Sequence, residues 1–544
     1  MSSSVSADPL DVVVVGAGFA GMYAIWKFGQ AGLKLRVIEA GSDVGGTWYW
    51  NRYPGARCDI TSMEYSYGFS EELQQEWEWT EIMAAQPEIL SYANHVADRF
   101  KLREHIDFDT RVRSAIYDEE AGLWEIDTDT GARYQARFCV MATGCLSVPN
   151  TPEIAGQEEF AGEVYHTGRW PAGGVDFSGK RVGIIGTGSS GVQSIPVIAR
   201  EAEHLTVLQR TPNYNMPANN APLPDEYRAR MKSNYPEVRT AQRLAPIGVS
   251  EYSRGLGGLG SYPEPTESIL GQSEAERAEA LDEMGFEAIR QYNDIALSDK
   301  ANELACDMFR EQVRRVVKDP ETAEGLMPRD YPYGCKRPVV DIGYYETFNR
   351  DNVTLVDLRR GGIEHITERG VQTAQGAFEF DVLVYATGFD AMTGALLRMD
   401  IRGREGRSLA EHWDHGPRTY LGLQMSGFPN LFTVTGPGSP SVLSNMLVSI
   451  EQHIDWICAC INHLDQQGAT TIEATEAAED AWVRHVFEVA DGTMLTAESC
   501  NSWYLGANIP GKPRIFMPYV AGVGPYRLQC DEIVADGYRG FAIS

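Results

Sequence analysis

The spacing of apolar residues switches between strand-like runs and helical periodicity, and the switches mark out the chain. Asp11–Val15 is a β-branched run too short for a helix, and it ends in Gly16-Ala17-Gly18-Phe19-Ala20-Gly21. The spacing is then helical to about Gln30, with Gly32 as a C-terminal cap, and Leu35–Glu39 predicts a second strand. The same order returns at Arg181–Ile185, followed by Gly186-Thr187-Gly188-Ser189-Ser190-Gly191 and a second strand at His204–Leu208. Two further strands, Phe138–Met141 and Val382–Tyr385, each run into Ala-Thr-Gly, at 142–144 and 386–388, turns small enough for chain crossings between two domains. From Pro217 to Pro332 the pattern is amphipathic and helical. A capping box is expected at Ser273 and Glu276, and a helix from Ser298 to Val317 stopped by Asp319-Pro320. The glycine-rich run Arg254–Gly260 inside it reads either as a lid or as a surface loop. Towards the C-terminus a strand at Leu431–Thr435 precedes a helix from about Asn445 to Leu464, with an apolar stripe of Met446, Ile450, Ile454 and Ile457.

This order predicts an α/β protein with two Rossmann-like dinucleotide-binding domains and a mainly helical insert. The expected division is 8–148 and 381–544 for the first domain, 149–216 and 333–380 for the second, and 217–332 for the insert. In each G-x-G-x-x-G the first glycine (Gly16, Gly186) permits the tight turn. The second (Gly18, Gly188) lets backbone approach a pyrophosphate, and the third (Gly21, Gly191) lets helix pack on strand. The end of the second strand distinguishes the ligands. Glu39 accepts hydrogen bonds from ribose hydroxyls and repels a 2′-phosphate, which suits FAD or NAD. Gln209-Arg210-Thr211 has no acid, and the Arg210 guanidinium suits the 2′-phosphate of NADPH, with Lys336 adding charge if the fold brings it near. Together the sites imply a flavin reduced by a nicotinamide.

Composition narrows the picture further. A chain of 544 residues, 43% apolar and 23% charged, is long enough for two or more cores. A formal charge of −29 disfavours nucleic acid and anionic lipid as partners, and no apolar run approaches the roughly 20 residues of a membrane span. Met1–Asp8 reads as a short tail rather than a signal peptide, so a cytoplasmic location is expected. Nine cysteines without a C-x-x-C pair give no disulfide or metal framework, and reduced, buried thiols are expected. Nothing sets the oligomeric state.

Two longer segments carry a family likeness. Phe160–Pro171 fits F-x-G-x-x-x-H-x-x-x-W-P, and Gly45–Asp59 reads GGTWYWNRYPGARCD. Both resemble fingerprints of type I Baeyer-Villiger monooxygenases, and the likeness runs through Trp503-Tyr504 and Gly506–Arg514. It implies NADPH- and O2-dependent conversion of ketones to esters or lactones through a C4a-peroxyflavin. By position, Arg337 matches the family's catalytic arginine and Asp59 its carboxylate partner. Lys336 and Arg210, beside Thr211, match the pair that holds the NADP 2′-phosphate. Glu39, Gly46, Thr47, Trp48, Trp50, Asp59, Tyr65, Val112 and Met446 match FAD contacts, as Phe19 and Thr187, Ser189 and Ser190 belong to the two glycine loops. Trp503 matches a contact to the NADP ribose. The likeness gives His166 a conformational rather than catalytic role. Ser441–Ser444 is similar to a loop of members acting on aryl and linear ketones, whereas Cys145 stands where similar members carry glutamine. Two alternatives remain: an N- or S-oxygenating flavin monooxygenase, and a flavin-binding redox sensor. A flavin disulfide reductase would need a redox dithiol near the flavin domain.

Overall fold

A computed structural model describes residues 8–257 and 264–544. The tail Met1–Ala7 and Gly258–Gly260 of the glycine-rich run lie outside the described residues, and with them the question of a lid. The molecule is built on two mainly parallel sheets. In the first, Leu10–Val15 lies between Leu35–Ile38 and Arg133–Met141, parallel to both. Ile106–Asp107 extends the sheet beyond Leu35–Ile38. Leu431–Thr433 joins Arg133–Met141 in parallel, while Leu123–Thr128 and Val112–Asp118 continue antiparallel on its other portion. Val12, Val13 and Val14 are fully buried. A parallel strand covered on both faces needs a continuous apolar run, which is why this segment does not alternate.

The second sheet is wholly parallel, in the order Val353–Asp357, His204–Gln209, Arg181–Ile185, Val382–Tyr385, Glu163–His166. Val382–Tyr385 therefore belongs to the second sheet, and the expected boundary at 381 is corrected: the chain leaves this sheet only after Tyr385. The family fingerprint at 160–171 likewise supplies its edge strand. The Ala-Thr-Gly turns stand in equivalent places, each following the strand beside a glycine loop. A Cβ on Gly16 would lie 2.5 Å from the carbonyl oxygen of Ala142, and one on Gly186 2.6 Å from that of Ala386. From these turns two segments run side by side: Asn150 N–H donates to Gly388 O at 2.9 Å and Asp390 N–H to Val148 O at 2.9 Å. His166 braces the crossing. Its Nδ1 accepts from Gly168 N–H at 2.9 Å, so Nε2 carries the proton and donates to Asn150 O at 3.3 Å. Burial holds its pKa below the ordinary value.

The insert is helical but does not form one body. Asp225–Ser233 and Tyr235–Leu244 send Tyr227, Met231, Tyr235 and Val238 into the core of the first sheet, whereas Asp299–Val316 sends Ala305, Phe309 and Val313 into that of the second. The capping box at Ser273 and Glu276 is present. Asp319 does not merely stop a helix: its carboxylate caps a further one, Pro320–Leu326. The helix Met446–Gln467 buries Ile450, Ile454 and Ile457 and packs on Phe19–Gln30, where Tyr23 donates to Asp455 at 2.8 Å.

The expectation that every cysteine is reduced is corrected. Cys335 and Cys500 form a disulfide, and the other seven are free and buried. The pair is 165 residues apart in sequence, so only tertiary folding brings the two together. The halves also meet at the other fingerprint. Gly55 has φ of +81°, and a Cβ there would lie 2.2 Å from the Gln193 carbonyl oxygen, on the helix Ser189–Glu201 of the second half. Gly55→Ala is expected to destabilise the fold by about 1–3 kcal/mol from the left-handed backbone alone, more with the clash. Gly29→Ala, on an exposed helix position with nothing within 4 Å, should instead stabilise it, by up to about 1 kcal/mol. Denaturant unfolding of the two variants gives the comparison, and equal effects would contradict this account of Gly55.

Candidate active site

The first cradle is formed where the Gly16–Gly21 loop meets the turn Gly45–Trp50. Gly16 has φ of +106°, and a Cβ on Gly21 would lie 1.9 Å from the carbonyl oxygen of Gly16. Gly46, at φ +52°, lies so close that a Cβ there would come within 2.7 Å of Gly18 Cα. The helix Phe19–Gln30 starts without a side-chain cap, leaving first-turn amides to an incoming anion. Glu39 is 6% exposed; its carboxylate accepts from Ala17 N–H at 2.7 Å and Gly41 N–H at 2.6 Å. Burial raises its pKa, and those amides work against the rise. Thr47 is exposed at the start of the short helix Thr47–Trp50, and Trp50 is half-buried. Trp48 is buried and donates Nε1–H to Tyr65 Oη at 3.1 Å. Phe19 turns its ring away into the core, edge-on to Tyr65 and Tyr67, so its contribution to the cradle is backbone. Val112 is buried at the start of its strand, two residues after Thr110, whose N–H donates to Glu39 O at 2.9 Å.

The second cradle repeats this geometry with the opposite charge. Gly186 has φ of +105°, and a Cβ on Gly191 would lie 2.3 Å from Gly186 O. Gly188 opens the helix Ser189–Glu201 with no side-chain cap, and nothing stands within 4 Å of where its Cβ would be. Gly188 and Ser189 are exposed, while Ser190 is buried against Thr167 of the fingerprint, hydroxyl to hydroxyl at 3.0 Å. Thr187 is buried and donates to Thr211 O at 3.1 Å, holding the end of the second strand. Arg210 and Lys336 come together here. The Lys336 ammonium lies 4.8 Å from the centre of the Tyr331 ring, and burial, then the charge of Arg210, lowers its pKa to about 8. Two cations facing each other in a chain of charge −29 form a ready-made anion site.

Between the cradles lies the ion pair of Arg337 with Asp59. Arg337 also donates to Val442 O at 3.2 Å. Burial opposes the guanidinium charge most strongly, but Asp59, then Tyr504 and Cys58, together outweigh it and hold the pKa above the ordinary value. The side chains are 30% and 21% exposed, so the charge is held at a wall rather than sealed in the core. Tyr504 is buried beside the pair. Met446 and Trp503 pack on a small cluster of Cys145, Ala391, Met392 and Met517, where Ser441 hydroxyl lies 3.2 Å from Cys145 Sγ. Met392, Thr435 and Ser441 all have left-handed backbone, at φ +65°, +55° and +36°. Non-glycine residues held this way cost about 1–3 kcal/mol each, and all three gather around Cys145. The strained backbone, Val442, Tyr504 and the disulfide beside Lys336 were not legible in the sequence.

The chain is similar along nearly its whole length to known proteins. Residues 13–237 match a family model described as pyridine nucleotide-disulphide oxidoreductase. The chain is 41% identical to a Baeyer-Villiger monooxygenase of Pseudooceanicola batsensis, over 99% of this chain and 96% of the relative. It is 39% identical to the phenazine N-monooxygenase PhzNO1 of Lysobacter antibioticus, over 98% and 97%. Among solved structures, oxidized steroid monooxygenase bound to NADP is 50% identical and superposes with a TM-score of 0.90, covering 98% of this chain and 99% of that one.

One electrostatic outcome follows from the second cradle. In Arg210→Ala the Lys336 amine keeps its burial but loses the neighbouring charge, so it should titrate above its native value of about 8 and still below 10.5. NMR titration of labelled lysine reads this directly, and an unmoved amine would show that Arg210 does not face it.

Proposed function

The chain belongs to the Baeyer-Villiger monooxygenases, FAD-binding enzymes that use NADPH, and on that premise we propose that it oxygenates aryl, linear or bulky ketones to esters or lactones. The observation that carries the reading is the Arg337–Asp59 pair, set at the wall between a cradle that suits FAD and one that suits NADPH. FAD fits the first cradle because the Gly16, Gly18 and Gly46 backbones leave no room for side chains and Glu39 is held ready for ribose hydroxyls. NADPH fits the second, with Arg210 and Lys336 on the 2′-phosphate and the Gly188 helix start on the pyrophosphate. Bound FAD, once reduced by NADPH, supplies activation of O2 for insertion beside the carbonyl. The protein contributes charge and shape. Arg337 holds a fixed positive charge for anionic oxygen, an effect worth about 3–4 kcal/mol per donor in other enzymes. Asp59 keeps that guanidinium oriented and balanced. Trp503 and Met446, packed over Cys145, exclude water and border the ketone. Cys145 and Ser441 shape this wall, which supports a preference for the larger ketones.

The phenazine relative favours a second reading, oxygenation at nitrogen. Among the described residues no helix is long and apolar enough to cross a membrane. A cytoplasmic location, consistent with use of NADPH, is part of the proposal.

Product analysis across aryl, linear, cyclic and steroid ketones and an aromatic N-heterocycle decides between the readings: N-oxide without ester would reverse the preference. Arg337→Ala should lose ester by about 10²-fold or more while NADPH is still consumed and peroxide released. Undiminished ester formation would remove Arg337 from the chemistry. A separate outcome concerns pH. The phosphate favours protonated Lys336, so NADPH affinity should be full below pH 8 and fall as pH rises through it, by at most about tenfold per unit. Lys336→Ala should flatten that dependence and narrow the preference for NADPH over NADH, as measured by fluorescence titration.

A further inference from the structure

We infer that the Cys335–Cys500 disulfide is a positioning strut of the active site, holding the turn that carries Lys336 and Arg337 against the C-terminal segment that carries Trp503 and Tyr504. Cys335 immediately precedes the two cationic residues, and Cys500 stands three residues before Trp503. Both half-cystines are buried, with a Cα–Cα distance of 6.2 Å.

Neither partner segment is held by extensive regular structure. The turn begins at Gly334, with φ of +80°, and Cys335 N–H reaches only Pro332 O, at 3.5 Å. The segment 497–514 contains one 3-10 turn, Trp503–Leu505. Its polar fastenings lead mostly elsewhere, the exception being the Tyr504 hydroxyl, which accepts from the Arg337 backbone N–H. Arg514 Nη2 gathers the carbonyls of Ala497, Glu498 and Cys500 at 3.0, 3.0 and 2.9 Å, folding the segment on itself. Lys512 pairs with Asp390 at 2.7 Å, and Asn508 donates to Phe389 O at 2.9 Å, tying the segment to the chain just past the second Ala-Thr-Gly. These bonds fix the segment to the crossing between the halves. The disulfide is the covalent tie to the turn, a few residues from both Arg337 and Trp503, and it backs the hydrogen bond from the Arg337 backbone to Tyr504.

A cross-link closing a 165-residue span removes many of the open arrangements of the two segments. Cleaving it lets Trp503 and Tyr504 drift from Arg337 while the cores, the cradles and the Arg337–Asp59 pair stay intact. Besides the loss of fold stability that opening so long a loop brings, the effect falls on NADPH binding and on coupling of oxygen to product. The role in coupling rests on the reading of this site as a ketone oxygenase; the existence of the strut does not.

The test uses the FAD-loaded enzyme. Alkylation under denaturing conditions should label seven cysteines before reduction and nine after it, by intact mass. Nine before reduction would overturn the inference. Dithiothreitol is then applied to the native enzyme until the same intact-mass labelling scores nine thiols: the disulfide accepts two electrons and two protons to give two thiols, and the reagent closes to its cyclic disulfide. Amide exchange over residues 497–508 should rise about tenfold, as should the NADPH KM and the share of NADPH ending as peroxide, while the rate of flavin reduction at saturating NADPH changes less than about twofold. Reoxidation should reverse all of these, and the Cys335→Ala/Cys500→Ala variant should show them without responding to dithiothreitol. A merely structural bridge would lower the melting temperature without this split. Unchanged exchange and KM after cleavage would sink the strut even if ester is formed. An enzyme that forms no ester but shows the exchange response would sink the ketone reading and leave the strut standing.

Discussion

A guanidinium brought to the wall between two protein halves has to be balanced there, because burial of an unpaired charge costs several kcal/mol. Arg337 comes from the turn before the second half resumes, and Asp59 from the end of the GGTWYWNRYPGARCD stretch in the first, 278 residues away. The pair exists only if the halves dock in one arrangement. The stretch before Asp59 supplies that docking: Tyr53 donates to Gln193 at 2.9 Å, Gly55 lies against its carbonyl, and Gln193 donates to Arg57 O at 3.2 Å. The residues that make the charge useful are thus continuous with those that make the interface.

The two cradles solve one steric problem twice and then diverge in sign. Each needs a glycine where a neighbouring alanine carbonyl approaches, a bare helix start for a pyrophosphate, and a third glycine where the helix crosses its own loop. The end of the second strand then differs. Glu39 is an acid fixed by two amides; Arg210 is a cation facing another at Lys336, and on the proposed reading an incoming phosphate relieves their repulsion. Under the proposed assignment, such local positive charge within a strongly acidic chain distinguishes the two nucleotides without any difference in fold.

Around the central pair the structure departs from relaxed geometry. Left-handed Met392, Thr435 and Ser441 gather at Cys145, and a covalent bridge stands beside Lys336. His453, buried and held neutral, accepts Thr435 N–H at 2.9 Å and so fixes one of these strained residues. Strain of this kind persists where surrounding packing over-determines the backbone.

The glycine loops, the strands that lead into them and the acid-versus-arginine contrast were all written locally, since each depends on residues within about 30 positions and on the steric freedom of glycine. The helices at 19–30 and 446–467 followed from apolar period and caps for the same reason, although the second runs three residues past the expected end at Leu464. The membership of Val382–Tyr385 in the second sheet was not local, because a strand adjoining a chain crossing can hydrogen-bond on either side of it. Nor was the division of the helical insert between two cores, since an amphipathic face does not name the surface it will cover. The pairing of Cys335 with Cys500, the meeting of Lys336 with Arg210 and the hold of Val442 on Arg337 depend on distances between remote segments. Those distances exist only once the two halves have packed, and there tertiary structure alone decided.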